Sequence, residues 1–177
     1  MLFFIKPGAA LAAGIVLLAL AGCASAPQGQ TLTQTKSPTQ LLRNEASARI
    51  PPGTIDTISD EEDHSVACKT EDEDPDGLYR SWQSSLLASI ATDSAWRVEM
   101  VGKDIVDSFI EDGWYVSGSK DGQERTVLTR PGAVSTMAFT VTAGAEDGTG
   151  ASIHIDATGP CVLTGGPESS EVTALEQ

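Results

Sequence analysis

The sequence predicts an α+β fold: a single domain in which an antiparallel β-sheet is packed on one face by two helices. These are a central α-helix at about residues 93–112 and an N-terminal helix at about residues 37–50. Two observations favour this class. Residues 98–110 carry apolar side chains at helical spacing, whereas the chain after residue 114 consists of short β-branched segments separated by turn residues. The domain, residues 37–163, is long enough for one hydrophobic core.

The N-terminal helix is predicted to begin at Ser37-Pro38-Thr39-Gln40. A serine followed three residues later by glutamine matches a capping box, and proline is favoured at the first helical position. Apolar residues then recur at helical spacing until Pro51-Pro52-Gly53 ends the helix. They are Leu41, Leu42, Ala46 and Ile50. We expect the helix to dock on the sheet through this stripe.

The next region, residues 54–91, is predicted to form strands. Residues 54–59 and 65–70 are expected to pair, joined by a polar turn at Asp60-Glu61-Glu62-Asp63. Residues 78–91 fit either a strand or a helix, because their apolar residues satisfy both periods. We favour a strand with Trp82, Leu86, Ala88 and Ile90 on one face, since the serines of this stretch weaken a helix.

The central helix has the broadest apolar stripe of the chain. Asp93 or Ser94 is expected to cap its first turn. The stripe consists of Val98, Val101, Ile105 and Phe109, flanked by Val106 and Ile110. Gly113 stands where a left-handed residue ends helices, and Trp114 is placed to pack back on Phe109. Such an aromatic pair is more typical of a core than of a ligand site.

Four further strands are predicted at residues 114–117, 125–129, 135–142 and 151–157. The breaks at Asp121-Gly122, Pro131-Gly132 and residues 144–150 favour consecutive antiparallel hairpins. One face of the last two strands is apolar, with Met137, Phe139, Val141, Ile153 and Ile155. The opposite face is polar, with Thr136, Thr140, Thr142, His154 and Asp156. We expect this second face to be solvated, and residues 164–177 to form a loose acidic tail.

The charge of the chain is strongly negative. It has 25 Asp and Glu residues against 11 Lys and Arg residues, and a formal net charge of -14. Such a surface repels phosphate backbones, so nucleic acid is excluded as an expected partner.

Leu20-Ala21-Gly22-Cys23 resembles the lipobox of bacterial lipoproteins. It follows Lys6 and an apolar run over residues 9–21, which is shorter than the ~20 residues needed to span a bilayer. The resemblance implies that residues 1–22 are a signal peptide, that Cys23 carries the lipid, and that residues 23–36 form a flexible tether. The domain would then be anchored on the extracytoplasmic face of the cell membrane. An ordinary cleaved secretory signal remains the alternative.

The number of cysteines that are left to form a disulfide depends on whether Cys23 carries lipid. If Cys23 carries lipid, Cys68 and Cys161 remain as an even pair in an oxidising compartment, where thiols commonly form disulfides. We expect them to bond and to tie an early strand to the last one. A catalytic or metal-binding pair is the minor alternative.

The chain also resembles a group of small uncharacterised lipoproteins of high-GC Gram-positive bacteria. The similarity rests on the lipobox, on Val66-Ala67-Cys68, on Gly113-Trp114 after a helix, and on Gly159-Pro160-Cys161-Val162. It implies location and fold but no activity.

Asp72-x-Asp74-x-Asp76-Gly77 matches the first half of an EF-hand-type calcium loop. Gln83 stands where the loop needs a bidentate glutamate, and Pro75 lies inside it. The residues are weak calcium candidates, and a solvated acidic loop is the favoured interpretation.

Two sequence patterns bear on enzymatic activity. Ser117-Gly118-Ser119-Lys120 fits the Ser-x-x-Lys of penicillin-recognising acyltransferases but lacks the companion motifs. His154 and Asp156 share a strand face and would suit a catalytic triad with one of the serines, although no Gly-x-Ser-x-Gly is present.

We therefore predict a non-enzymatic module without a cofactor. It is expected to bind another envelope protein or a ligand through the polar face or the edge of its sheet. An envelope hydrolase or transferase that uses a serine with His154 and Asp156 is the alternative, and weak calcium binding is another.

Overall fold

A computed structural model describes residues 29–91, 93–94, 97–119, 125–130, 135–142 and 150–177. This part contains three helices: α1 (Leu32–Ala48), α2 (Val98–Glu111) and α3 (Ser170–Leu175). It also contains seven strands: β1 (Ile55–Ala67), β2 (Tyr79–Ile90), β3 (Tyr115–Ser119), β4 (Arg125–Thr129), β5 (Thr136–Thr142), β6 (Ser152–Thr158) and β7 (Val162–Leu163). All pairings are antiparallel, in the order β1-β2-β6-β5-β4-β3, and β7 pairs with the start of β2. The predicted α+β class is confirmed.

The main core lies between the helices and one face of the sheet. The apolar stripe of α2 packs there as predicted, together with alternate residues of β2, β5 and β6. The buried set includes Val98, Val101, Ile105, Phe109, Leu86, Ala88, Ile90, Met137, Ile153 and Ile155. From α1, Ala46 and Ile50 join this core and Leu42 packs against it. Leu41, in contrast, is 66% exposed, so it is not part of the core-facing stripe.

Helix α1 begins at Leu32, five residues before the predicted start. The capping box is formed by Thr31 and Gln34 and not, as predicted, at Ser37, and Pro38 lies inside the helix. The earlier start is stabilised by Leu32, which is fully buried in a second apolar cluster with Trp82, Val162 and Val172. The predicted flexible tether over residues 23–36 is therefore wrong for residues 32–36.

Strand β1 is one continuous strand, so the predicted strand pair with a turn at residues 60–63 is wrong. It pairs with β2 along its length, and a register shift between Ser59 and Glu62 accommodates the extra residue as an irregularity of the β-bulge type. The long neighbouring strand β2 pairs with β1 on both sides of this irregularity, and this pairing outweighs the local turn propensity. The predicted strand at 78–91 is confirmed as β2.

Helix α2 starts later than predicted, at Val98 after Arg97, without a side-chain cap. Asp93 and Ser94 therefore lie before the helix rather than at its cap. Its end matches the prediction: Gly113 has a φ of 87°. Trp114 packs edge-on against Phe109 at 5.7 Å between ring centroids.

The four later strands lie within one or two residues of their predicted bounds. The predicted turns at 121–122, 131–132 and 144–149 fall outside the described residues.

Cys68 and Cys161 form the predicted disulfide. Cys68 directly follows β1 and Cys161 directly precedes β7, and both strands pair with the start of β2.

Residues 164–177 are not a loose tail. Ser169 caps α3, and Val172 is buried beside Leu32 and Trp82. None of the helices in the described ranges is long and apolar enough to cross a membrane.

Candidate functional site: the open face of the sheet

The sheet face opposite the helices carries a row of five residues that runs across five strands. The register places Glu62 beside Ser85, Ser85 beside Asp156, Asp156 beside Ala138, and Ala138 beside Val127. We call these five residues the central row. Each alternates along its strand with residues that face the core, so their side chains belong to the open face.

Two further rows flank the central row, and all the members named here except Leu87 are polar. On one side the register aligns His64, Gln83, Thr158, Thr136 and Thr129. On the other side it aligns Leu87, His154 and Thr140. The predicted placement of Thr136, Thr140, Thr142, His154 and Asp156 on one face is confirmed by this register.

Asp156 is buried, although the sequence predicted a solvated position. Only 7% of the residue is exposed, and its neighbours Ser85 and Ala138 are buried as well. Gln83 and His154 contact the Asp156 carboxylate from the two flanking rows. The middle of the central row is therefore little exposed to solvent.

The Asp156 carboxylate holds side chains from both flanking rows. Gln83 Nε2 donates to Asp156 Oδ1 at 3.3 Å, and His154 Nδ1 lies 3.4 Å from Asp156 Oδ2. A contact of this kind orients an imidazole ring and leaves Nε2 for another partner. His154 is partly exposed, so it can present that atom to a bound molecule.

The His154–Asp156 pair resembles two members of a catalytic triad. The register places Thr140 opposite His154 and Ser85 opposite Asp156. Acyl transfer also needs backbone N–H groups that are free to stabilise an oxyanion. Strands β2, β5 and β6 each have neighbours on both sides, so their amides in this region are used by the sheet.

Carboxylates of the acidic loop at residues 72–77 accept hydrogen bonds from residues close to them in the chain. Asp74 Oδ2 accepts from the Tyr79 N–H at 2.7 Å. Glu73 accepts from the N–H and the hydroxyl of Thr70, and these two bonds lower the pKa of Glu73. Asp72 and Asp76 are exposed on the same turn. Within the described residues, no three His, Cys, Asp or Glu side chains are grouped to hold a metal ion.

The other predicted site residues lie elsewhere in the chain or outside its described part. Ser117 lies on edge strand β3, while Lys120 of the Ser-x-x-Lys pattern falls outside the described residues. The lipobox with Cys23 also falls outside them.

Two site residues, Gln83 and Ser85, were missed from the sequence. They occupy alternate positions to the apolar residues of β2, which is a signal for the open face. Their proximity to Asp156, however, depends on the pairing of β2 with β6, and local periodicity does not reveal that pairing.

A comparison of the chain with protein-family models, curated proteins and solved structures found no match.

Proposed function

We propose that the chain is a lipid-anchored extracytoplasmic module that binds a partner protein of the cell envelope through the open face of its sheet. The observation that carries this proposal is the alignment of hydroxyl, amide and imidazole groups around Asp156 on neighbouring strands. In the described part of the chain, the helices pack on the other side of the sheet.

The side chains of this face are suited to binding. Serine and threonine have few rotamers, so they lose less entropy on contact than long polar side chains do. The strands hold them in fixed positions, and the sheet already satisfies the backbone groups beneath them. A partner can therefore be recognised by hydrogen bonds without reorganisation of the backbone.

An extracytoplasmic location is supported by the disulfide, which is common in oxidising compartments and rare in the cytosol. The lipobox resemblance adds the anchor at Cys23. Eight residues separate Cys23 from Leu32, and eight residues span at most roughly 30 Å. The module would therefore remain close to the membrane surface.

The anchor is tested by Cys23→Ala in the cells that produce the protein. We expect this variant to leave the membrane fraction while its Cys68–Cys161 bond stays intact. Retention of the variant in the membrane fraction, or scrambling of the two other cysteines, would contradict the assignment.

The binding surface is tested by placing a photo-cross-linking amino acid at Thr136, which is exposed on the open face. The matched control position is Glu99, which is exposed on α2. We expect a discrete cross-linked product in intact cells from position 136 and none from position 99. The same products from both positions, or none from either, would argue against binding through this face.

A hydrolase is the second candidate, favoured by the contact between His154 and Asp156. It predicts that an activity-based fluorophosphonate probe labels one hydroxyl of this face, and that His154→Ala abolishes labelling. Absence of labelling in the folded wild-type protein would exclude a serine hydrolase of this type.

A further inference from the structure

The contact between α1 and the β1–β2 pair contains a small polar cluster on the helix side of the sheet. Arg43 belongs to α1, whereas Asp63 and Ser84 are partners in the β1–β2 register, so their side chains lie side by side on one face. Arg43 Nη1 lies 3.5 Å from Asp63 Oδ2. Arg43 is only 7% exposed, and Ser84 is fully buried. The cluster therefore joins three elements, and two of its three side chains are buried.

Two polar atoms of this cluster are buried without a hydrogen-bond partner. Among the described residues, these atoms are Arg43 Nη1 and Ser84 Oγ. The other two guanidinium nitrogens of Arg43 are satisfied, because Nε and Nη2 both donate to Asn44 Oδ1, at 3.1 and 3.0 Å. Buried polar groups in folded proteins almost always have a partner, since an unpaired group loses its hydration without compensation. Both atoms border Asp63, so one molecule placed between them can satisfy both.

The Asp63 carboxylate does not itself supply this partner. Its Oδ2 accepts from Gln40 Nε2 at 3.0 Å, and its Oδ1 accepts from Trp82 Nε1 at 3.3 Å. The 3.5 Å contact with Arg43 Nη1 is longer than the ~2.7–2.9 Å of a charge-assisted hydrogen bond. Asp63 thus balances the charge of Arg43, but a further group is needed to accept a hydrogen bond from Nη1.

The charges of the cluster determine the kind of ligand that fits. Arg43 and Asp63 form an ion pair, so together they have no net charge. Asp63 would repel an anion and Arg43 would repel a cation, and either ion would also lose its hydration. A neutral molecule that both accepts and donates hydrogen bonds fits, because Nη1 can only donate while the Ser84 hydroxyl can do either.

The surrounding residues restrict the size of this ligand. In the sheet, Ser84 lies between Asp63 and Ala157, which is fully buried. One helical turn before Arg43, α1 approaches the sheet so closely that a Cβ atom on Gly159 would lie 2.7 Å from Thr39 Oγ1. A molecule with a single heavy atom suits such a close contact.

We propose that one water molecule is bound between Arg43 Nη1 and Ser84 Oγ as a permanent part of the contact between α1 and the sheet. Its oxygen accepts from Nη1, and its two hydrogens are donated to Ser84 Oγ and to the Asp63 carboxylate. Buried waters typically make about three such bonds to polar groups that have no other partner. The site lies on the helix side of the sheet, so it is independent of the binding function proposed above.

A crystal structure at a resolution that shows ordered water tests the site directly. We expect one peak of water density within about 3.2 Å of both Arg43 Nη1 and Ser84 Oγ. Ser84→Ala removes one of the three bonding groups, so the peak should be lost in this variant. Ser85→Ala is the matched control, since Ser85 is a buried serine on the opposite face of the same strand. It should leave the peak unchanged.

Four results would overturn the proposal. The first is a direct hydrogen bond from Arg43 Nη1 or Ser84 Oγ to Asp63, with no density between these side chains. The second is a peak whose anomalous scattering identifies it as an ion. The third is an unchanged peak in Ser84→Ala, and the fourth is an equal loss of the peak in Ser85→Ala. The wild-type structure alone decides the first two, so the test does not depend on the folding of a variant.

Discussion

Glu176 accepts two hydrogen bonds from Ser65: one from the backbone N–H at 2.9 Å and one from the hydroxyl at 2.7 Å. These two bonds, with a smaller contribution from the charge of Arg80, hold the pKa of Glu176 below its ordinary value. Arg80 Nε also donates to the Ser65 hydroxyl at 2.9 Å. The end of α3 is therefore attached to β1 by a charged network.

Glu176→Ala should loosen α3 without unfolding the domain. The loss of hydrogen bonds to a partly exposed carboxylate is expected to cost about 1 kcal/mol. Denaturant unfolding measures this cost, and faster hydrogen exchange confined to α3 identifies its origin. Glu168→Ala removes an exposed carboxylate nearby and is the control. Equal exchange rates in both variants would show that Glu176 does not hold the helix.

The sequence predicted those helices and strands whose pattern of apolar residues lies within a single segment of the chain. The stripe of α2 and the alternation in β2 to β6 depend on spacing within one segment, so they could be read directly. The start of α1 has a local signal in the Thr31–Gln34 capping box, but α1 and α3 also stabilise each other. Thr33 donates to Glu171 from its N–H and its hydroxyl, at 2.8 and 3.0 Å. Lys36 Nζ donates to the Leu175 carbonyl at 3.0 Å. No pattern within either segment encodes such contacts.

The candidate site on the open face could likewise be predicted only in part. The face of His154 and Asp156 followed from alternation, but the burial of Asp156 depends on the tertiary structure around it and is not visible in the sequence of β6. The disulfide could be predicted because the pairing of Cys68 with Cys161 required only a count of cysteines. The strand conformation of the acidic stretch of β1 could not be predicted, because it depends on pairing with β2.

Gly159→Ala should destabilise the domain by about 1–3 kcal/mol, the usual cost of overpacking. A Cβ atom at this position would lie 2.7 Å from Thr39 Oγ1, on the buried side of α1. Gly118→Ala is the control, because nothing lies within 4 Å of a Cβ there. Thermal unfolding compares the two variants. Addition of Thr39→Ala should recover part of the loss, and failure of this rescue would show that the strain arises elsewhere.

Reduction of the disulfide should lower the free energy of unfolding substantially. The two cysteines are 93 residues apart, and on the chain-entropy model a loop of that size contributes roughly 4–5 kcal/mol. Paired Cys68→Ser and Cys161→Ser substitutions should reproduce the effect of reductant. They should also make the protein insensitive to further reductant. A variant as stable as the oxidised protein would contradict this expectation.

Asp63 links β1 to α1 through a partly buried ion pair and should make stability depend on acid pH. Burial alone would raise the pKa of Asp63, but polar neighbours and the charge of Arg43 outweigh it and lower the pKa. Gln40 Nε2 and Trp82 Nε1 donate to the carboxylate, at 3.0 and 3.3 Å. The nearby hydroxyl of Ser84 also favours the charge, although it lies outside strict hydrogen-bond geometry. The charged form of Asp63 is thus favoured by folding.

Because the folded pKa is depressed, the stabilisation from Asp63 is present above the ordinary aspartate pKa of 3.8. It is lost as the pH falls below about 4, through the folded value. Asp63→Asn should therefore be less stable than wild type at neutral pH, and the difference should shrink as the pH is lowered. Denaturant unfolding at a series of pH values measures it. Asp56→Asn, on the same strand, controls for the change in net charge. A difference that stays constant across the acid range would show that the carboxylate charge is not what stabilises this contact.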